Sequence, residues 1–142
     1  MVIADEVTFS QGEFGEENLQ RLIGFTKDSD VSNRDWGTLL LSQLELNRAD
    51  VVGALLSAAD DPNDFVRGEA IVGLAHLGHK MTLSLVKREL QNQQVQLQIF
   101  EAAEILADAS LVEHLECFQD DSDNTYVDSQ AADALQACKG EN

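Results

Sequence analysis

The sequence predicts an all-α fold, an α-solenoid built from about four stacked helical hairpins. Three observations support this prediction. A pattern of mostly apolar positions recurs along the chain, with copies that begin at Asn33, Val66, Val95 and Val127. This period of about 30 residues is typical of helical repeat proteins. The chain of 142 residues is 44% hydrophobic and contains one proline, so it can bury a core. The positions within each copy follow helical spacing.

The copies of this pattern share an apolar stripe that is too narrow to form a core alone, so neighbouring hairpins must stack. The clearest copy is Val66, Ala70, Gly73, Leu74 and Leu77. The other copies are Asn33, Gly37, Leu40, Leu41 and Leu44, then Val95, Ile99, Ala102, Ala103 and Leu106, then Val127, Ala131, Ala134, Leu135 and Cys138.

In the first half of the chain, the sequence predicts an N-terminal arm followed by two hairpins. Residues 1–15 hold two glycines and scattered acids without helical period, which indicates a loose arm. Helices are expected at 17–26 and 33–44, separated by a turn of Asp and Ser residues, and a third at 49–59. The segment 60–64, Asp-Asp-Pro-Asn-Asp, ends that helix and caps the next one.

In the second half of the chain, the sequence predicts two more hairpins. One pairs a helix at 81–90 with a helix at 95–107, and the other pairs 111–118 with 126–138. All connections are short. We therefore expect one repeat domain over residues 16–142, following the arm of residues 1–15. The expected repeats are 17–46, 49–78, 80–108 and 109–138.

Charge narrows the range of partners. The formal net charge is -17, and residues 101–142 carry 11 acids and one base. Such a field repels phosphate, so direct binding to nucleic acid or to an anionic membrane is not expected, whereas a basic protein would be attracted. The alternative is that the acidic surface serves solubility alone.

Other features predict a soluble, cytoplasmic protein. No tract approaches the roughly 18 apolar residues that span a bilayer, and the N-terminus lacks the basic start and apolar run of a signal peptide. Cys117 and Cys138 are too few for a disulfide scaffold and lack zinc-site spacing. Because Cys138 takes the place of Leu77 in its repeat, we expect a buried thiol.

The segment 60–78 resembles a short HEAT-like repeat of the PBS-lyase type, in which an Asp-Pro turn leads into Val66-Arg67-x-x-Ala70-x-x-x-Leu74. Gln96 and Asp128 replace the arginine in the third and fourth copies. The order of repeats also resembles small bacterial HEAT-repeat proteins suspected to be immunity proteins of polymorphic-toxin systems. The resemblance implies a right-handed α-α superhelix whose second helices line the concave face.

Helix geometry identifies candidate partner-binding residues on the stripe opposite the core. The alternatives are that Trp36 packs against the N-terminal arm and that the carboxylates form an ordinary solvated surface. Arg67 is expected to bond carboxylates or carbonyls within the stack, with Asp35 or Asp64 as possible partners. The candidates are Trp36, Leu39, Glu69, Val72, His76, Gln98, Glu101, Gln130 and Asp133, and Gln43, Ile105 and Ala137 complete the stripe.

No catalytic residue, cofactor site or metal site is predicted. None of the three histidines is followed by glutamate, as in the His-Glu pairs of HEAT-like di-iron hydroxylases, and no P-loop, GxSxG, HExxH or GxGxxG occurs. His114 and Cys117 lie one helical turn apart but lack an orienting third group. The loop 120–124 lacks the glycine and distal glutamate of a calcium-binding EF-hand.

The sequence therefore predicts a non-catalytic protein-interaction module. The sharper hypothesis is a cytosolic immunity protein that blocks a basic toxin domain, such as a nuclease, by mimicking the charge of its substrate. An adaptor or assembly chaperone, including a bilin-lyase-like protein, is the alternative, and an enzyme acting through His114 and Cys117 is a third. The expected partner is a basic protein, and the chain itself is expected to be a monomer or weak homodimer.

Overall fold

The computed structural model describes residues 13–92, 94–116 and 125–140, and over these residues it is all-α. A short 3₁₀ turn at Ala109–Leu111 leads directly into the seventh helix. The all-α prediction is confirmed. The helices are α1 (Glu13–Phe25), α2 (Val31–Gln43), α3 (Ala49–Ala58), α4 (Asp64–His76), α5 (Thr82–Leu90), α6 (Leu97–Leu106), α7 (Val112–Glu116) and α8 (Thr125–Cys138).

Side-chain caps fix where the second helices of the first two hairpins begin. Asp30 caps α2, because its carboxylate accepts a 2.7 Å hydrogen bond from the backbone N–H of Ser32. Asn63 caps α4 in the same way, and its Oδ1 accepts from Phe65 N–H at 2.9 Å and from Val66 N–H at 3.2 Å. The turns predicted from Asp, Asn and Ser residues therefore end where these caps lie.

Several predicted boundaries differ from the structure, and the starts of α2 and α6 each differ by two residues. The first helix begins at Glu13, not at residue 17, so the last residues of the predicted arm are helical. The helix predicted at 111–118 begins at Val112 and follows the 3₁₀ turn Ala109–Leu111, which Asp108 caps by accepting from Ser110 N–H at 2.8 Å. Residues 117–124 lie outside the described part of the chain.

The chain divides into two compact units, Met1–Leu77 and Gly78–Asn142. This division falls at the junction of the second and third predicted repeats. In the first unit α1 pairs with α2, α3 pairs with α4, and α2 packs against α4. In the second unit α5 pairs with α6, α7 pairs with α8, and α6 packs against α8. Within each unit, second helix therefore stacks on second helix, as an α-solenoid requires.

The recurring apolar pattern supplies the core of both units. The buried members include Leu41, Val66, Ala70 and Leu74 in the first unit, and Ile99, Ala102, Ala103, Ala131, Ala134 and Leu135 in the second. Cys138 is also buried, with its Sγ 3.5 Å from the carbonyl of Ala103, and burial raises the pKa of its thiol. The expectation of a buried thiol is confirmed.

The pattern is wrong at some edge positions. Leu40, Leu44 and Leu77 are only half-buried, whereas Thr38 and Ser42 are buried in α2. The reason is that α2 turns its Thr38–Ser42 line toward a neighbouring helix. Ser42 Oγ donates to the backbone carbonyl of Glu69 at 2.7 Å, which joins α2 to α4. Val127 lies among the side chains that are not described.

Candidate protein-binding surfaces

The first unit presents six stripe residues on the adjacent helices α2 and α4, and none of them is in the core. Trp36 is 39% exposed, Gln43 and His76 are exposed, and Leu39, Glu69 and Val72 are half-buried. We call this set the α2/α4 surface. It combines an aromatic ring, branched apolar side chains and a carboxylate, a mixture typical of protein interfaces.

One polar contact marks the C-terminal end of this surface. His76 Nδ1 lies 3.4 Å from Glu45 Oε1, and both side chains are exposed to solvent. Glu45 adopts a left-handed backbone conformation, with φ of 51°, in the connection between α2 and α3. The pair is an ion pair only when the imidazole is protonated.

The two arginines of α2 and α4 are directed toward the turns that precede their helices. Nη1 of each donates to the backbone carbonyls six and five residues earlier, at 3.1 and 3.2 Å for Arg34 and at 3.0 and 3.3 Å for Arg67. Arg34 also pairs with Asp61 through a 2.8 Å contact from Nε to Oδ2. The expectation that Arg67 binds carbonyls within the stack is confirmed.

Asp35 is a half-buried carboxylate beside Trp36 that sequence reasoning considered only as a possible partner of Arg67. Its Oδ1 has no solvent access and no hydrogen-bond donor among the described residues. Burial raises the pKa of this carboxyl group. The sequence alone carries no signal for this position, because Asp35 shares its side of the helix with Thr38 and Ser42, and their burial is seen only in the structure.

The second unit presents the remaining stripe residues on α6 and α8. Glu101, Ile105 and Asp133 are exposed, and Gln98 and Gln130 are half-buried. We call this set the α6/α8 surface. Residues 89–138 contain 11 acidic residues and no lysine or arginine. The nine candidate residues thus fall into two sets, one on each unit, and the structure places none of them in the core.

A surface cluster in the first unit was missed by the sequence analysis, because its members come from two different hairpins and lie far apart in the sequence. Arg48 forms a bidentate pair with Glu16 at 2.7 and 2.8 Å and contacts Asp50 at 3.0 Å. Gln20 donates to the same two carboxylates. Hydrogen bonding from Arg48 lowers the pKa of Glu16 to about 2, and hydrogen bonding from Gln20 lowers the pKa of Asp50. The cluster ties α1 to the start of α3.

The described residues contain no group of three or more His, Cys, Asp and Glu side chains arranged to hold a metal ion. Cys117 and the loop 120–124, which the sequence analysis considered for catalysis and calcium binding, lie outside the described part of the chain. Over the residues that were described, no helix has both the length and the apolar character needed to cross a membrane.

Fold and surfaces together define two units, each with two stacked helical hairpins and with acidic residues among those that face outward. No protein-family model matches it. The chain is 30% identical over 114 residues to protein YibA of Escherichia coli K12, a match that covers 80% of this chain and 41% of YibA. YibA of Escherichia coli O157:H7 gives the same values. The chain therefore spans about two fifths of the curated relatives it matches.

The X-ray structure of Escherichia coli YibA is also similar to this chain. The TM-score is 0.66 at 24% sequence identity, and the match covers 94% of this chain and 52% of that one. At this level of identity the likeness bears on the fold alone.

Proposed function

We propose that this chain is a non-catalytic protein-binding module of the HEAT-like repeat type and that its partner is a basic protein. The observation that carries the proposal is the composition of the outward residues on the second helices. Carboxylates stand there beside exposed or half-buried apolar side chains such as Trp36, Val72 and Ile105. Aromatic anchors surrounded by polar groups are typical of interfaces between proteins.

The charge distribution supports a basic partner. The second unit offers Glu101 and Asp133 from the stretch 89–138, which lacks lysine and arginine. In the first unit, Arg34 and Arg67 direct their Nη1 atoms to turn carbonyls. A surface of this kind attracts cationic proteins and repels phosphate backbones, and its attraction weakens as salt is added.

The sharper proposal is that the module is a cytosolic immunity protein that occludes a basic toxin domain. Its carboxylates would take the positions of substrate phosphates if that domain is a nuclease. The support for this step is the resemblance of segment 60–78 to HEAT-like repeats and of the repeat order to small bacterial proteins suspected of this role. Folds of this type serve many functions, so the partner itself must be identified.

Affinity capture from native cell lysate, at low and at high salt, tests the proposal when followed by mass spectrometry. We expect one basic protein that is retained at low salt and released at high salt. A salt-resistant acidic partner would contradict the proposal.

Substitutions then test the surfaces with the captured partner. Trp36→Ala and Glu101→Lys should each weaken binding about tenfold or more with little change in melting temperature. Glu17→Lys is the control, because Glu17 is exposed on α1 outside both surfaces. It changes the net charge by the same amount as Glu101→Lys and should weaken binding much less. If Trp36→Ala and Glu101→Lys instead unfold the protein, these surfaces belong to the core.

An adaptor or assembly chaperone is the second candidate, and exposed apolar residues outside the stripe favour it. Val31 and Phe65, in the first turns of α2 and α4, are 41% and 51% exposed. Apolar contacts at these positions would give a complex that resists salt. Loss of capture in a Phe65→Ser variant, at high salt, would support this candidate. Bilin absorbance after co-expression would identify its bilin-lyase-like form.

A further inference from the structure

The apolar side chains of the α2/α4 surface continue beyond the predicted stripe. Phe65, which is 51% exposed, precedes Glu69 by four residues and Val72 by seven, so it lies on their line of α4. We call Trp36, Leu39, Phe65 and Val72 the α2/α4 groove. We propose that this groove receives an amphipathic helix of the partner protein, with Lys and Arg along the flanks of its apolar face. This inference rests on the proposed function and names the kind of segment that the partner presents.

Two contacts fix how α2 and α4 lie beside each other. Near the start of α2, Arg34 pairs with Asp61, which precedes α4, and near its end Ser42 donates to the carbonyl of Glu69. Each contact joins residues that are 27 positions apart, so the two helices run in the same direction. Trp36 therefore lies level with the first turn of α4, the turn that holds Phe65.

The rings of Trp36 and Phe65 lie on the same face of this helix pair. Ser42 and Gly73 mark the line where the helices meet, since a Cβ atom on Gly73 would lie 2.5 Å from Ser42 Oγ. Helical rotation places Trp36 about 120° to one side of this line on α2, and Phe65 and Val72 about 80° and 100° to the other side on α4. Because parallel neighbours face each other, these opposite rotations lead to one face.

The length and openness of the groove fit a helix. Trp36 is 39% exposed, and Leu39 and Val72 are half-buried. The step from Phe65 to Val72 covers two helical turns, or about 10 Å, which is also the spacing of apolar side chains at i, i+4 and i+7 on a partner helix. An extended segment fits less well, because the helices use their backbone N–H and C=O groups internally and offer none to its backbone.

The charge around the groove favours a basic helix. Residues 1–77 hold 14 acids and five Lys and Arg. The two cations of these helices, Arg34 and Arg67, bind turn carbonyls. Glu69 lies on the α4 line of the groove, and exposed Glu45 lies near its C-terminal end. Long cationic side chains on the flanks of a bound helix can reach such carboxylates while its apolar face covers the groove.

Fluorescence of Trp36 tests the groove, because the chain contains one tryptophan. The full-length protein is titrated at low salt with a peptide of leucine, alanine and lysine whose leucines recur at every third or fourth position, along one face of a helix. The control peptide has the same composition with its leucines at alternating positions. We expect a saturable blue shift of the emission and an affinity about fivefold or more above that of the control. Equal affinities, or binding without a change in emission, would overturn the proposal.

Matched substitutions locate the bound peptide. Phe65→Ser should weaken the helical peptide about fivefold or more, whereas Met81→Ser, at a position that is 45% exposed in the second unit, should stay within about twofold. Gln43→Lys adds a cation to the exposed end of the α2/α4 surface and should weaken the peptide about threefold. Gln91→Lys makes the same change at an exposed position of the second unit and should have less effect. Equal weakening within either pair argues against the groove, and the Gln43 pair decides if Phe65→Ser does not fold.

Two other occupants of the groove would also overturn the proposal. Sedimentation of the free chain at several concentrations tests for a second copy, and a dimer that Phe65→Ser dissociates would identify it. Residues 1–12, outside the described part of the chain, include Phe9. A red shift of Trp36 emission in the free Phe9→Ser variant would show that this segment fills the groove. We expect a monomer and unchanged emission.

The groove and the proposed function can fail separately. If a basic partner is captured and its affinity is the same for the wild-type chain and Phe65→Ser, the proposed function stands and the groove is wrong. If the helical peptide binds as expected while lysate capture yields no basic partner, the groove stands and the proposed function fails.

Discussion

Two glycines allow helices of the first unit to approach closely. A Cβ atom on Gly73 would lie 2.5 Å from Ser42 Oγ and 2.8 Å from Ser42 Cβ. A Cβ atom on Gly37 would lie 2.8 Å from Phe25 Cβ and 3.1 Å from the backbone nitrogen of Thr26. Real Cβ atoms essentially never come within 3.0 Å of such neighbours, and each glycine has at least one distance below that limit, so both helix contacts depend on the absence of a side chain.

Substitution of Gly73 by alanine should therefore destabilise the protein. The added methyl group must displace Ser42 or separate α2 from α4, and overpacking of this kind costs about 1–3 kcal/mol. Urea denaturation of the variant measures this loss. Gly53→Ala is the matched control, since Gly53 is exposed in α3 with nothing within 4 Å of its Cβ position. That variant should gain about 0.5–1 kcal/mol from helix propensity. Similar effects in the two variants would contradict the close approach.

The pair between Glu16 and Arg48 predicts how the carboxyl group of Glu16 titrates. Its bidentate pair with Arg48 holds the pKa of Glu16 at about 2, below the ordinary value of 4.5. The folded-state pKa is lowered, so this stabilisation is complete above pH 4.5 and is lost as the pH falls toward 2. Side-chain carboxyl NMR shifts during an acid titration measure the pKa directly.

Arg48→Gln provides the comparison for this titration. Removal of the guanidinium should return the pKa of Glu16 toward 4.5, although Gln20 still donates to its carboxylate. Added salt should raise the pKa of Glu16 in the wild-type chain, because the pair is exposed to solvent. A wild-type titration near 4.5 would show that the pair does not form in solution.

Among the elements, the turns before α2 and α4 repeat one arrangement in the same order. Asp28 and Asp61 each accept a hydrogen bond from the backbone N–H two residues later. Asp30 and Asn63 cap the helices, and the arginines four residues after each cap bind turn carbonyls. The equivalent arginine is absent from the third and fourth repeats, which carry Gln96 and Asp128. In the first unit, the Arg34–Asp61 pair therefore joins the two hairpins. The sequence of the second unit has no arginine at the equivalent position.

Arg34→Met should remove the Arg34–Asp61 pair and destabilise the first unit. The guanidinium links α2 to the α3–α4 connection through Asp61, whose side chain is 7% exposed, and its loss leaves that carboxylate buried without a cation. We expect a loss of about 2–4 kcal/mol in unfolding free energy. Arg34→Lys should recover only part of it, since lysine cannot supply the same fork.

The control for this loss is Arg48→Met, which removes a pair whose side chains are both exposed and should have a clearly smaller effect. Thermal and urea unfolding of the variants give the comparison. Equal losses would show that burial of Asp61 does not strengthen the contact.

The elements were largely predictable where sequence and local chemistry agree. The Asp-Asp-Pro-Asn-Asp segment predicted the α3–α4 turn, and Asn63 does cap α4. Gly15 misled the prediction of α1, because glycine lowers helix propensity in sequence but is buried within this helix, where packing outweighs propensity. Leu40 and Leu44 fit the apolar pattern as well as Leu41 does. Only the contact of Ser42 with α4 shows which side of α2 is buried.

The net charge of the whole molecule could be predicted from the sequence, but the environment of individual carboxylates could not. The outward position of Glu101 and Asp133 follows from helical period. Arg34 pairs with Asp61, a carboxylate of the next hairpin, at 2.8 Å, whereas Asp35 Oδ1 has no donor among the described residues. Long-range pairs of this kind decide which acids are neutralised, and composition alone cannot identify them.

The net charge of -17 leads to a prediction that needs no partner. Self-repulsion among like charges destabilises a compact chain, and salt screens it. The melting temperature should therefore rise between about 10 mM and 500 mM NaCl, and a gain of about 1 kcal/mol would correspond to roughly 4 °C. Glu104→Lys, at an exposed position of α6, should raise the melting temperature at low salt and lose this advantage at high salt. Lys139→Glu, at an exposed position after α8, should do the opposite. A melting temperature independent of NaCl would mean that the carboxylates are spaced widely enough not to repel one another, and the attraction of a basic partner would then depend on local ion pairs at the contact and not on the net charge.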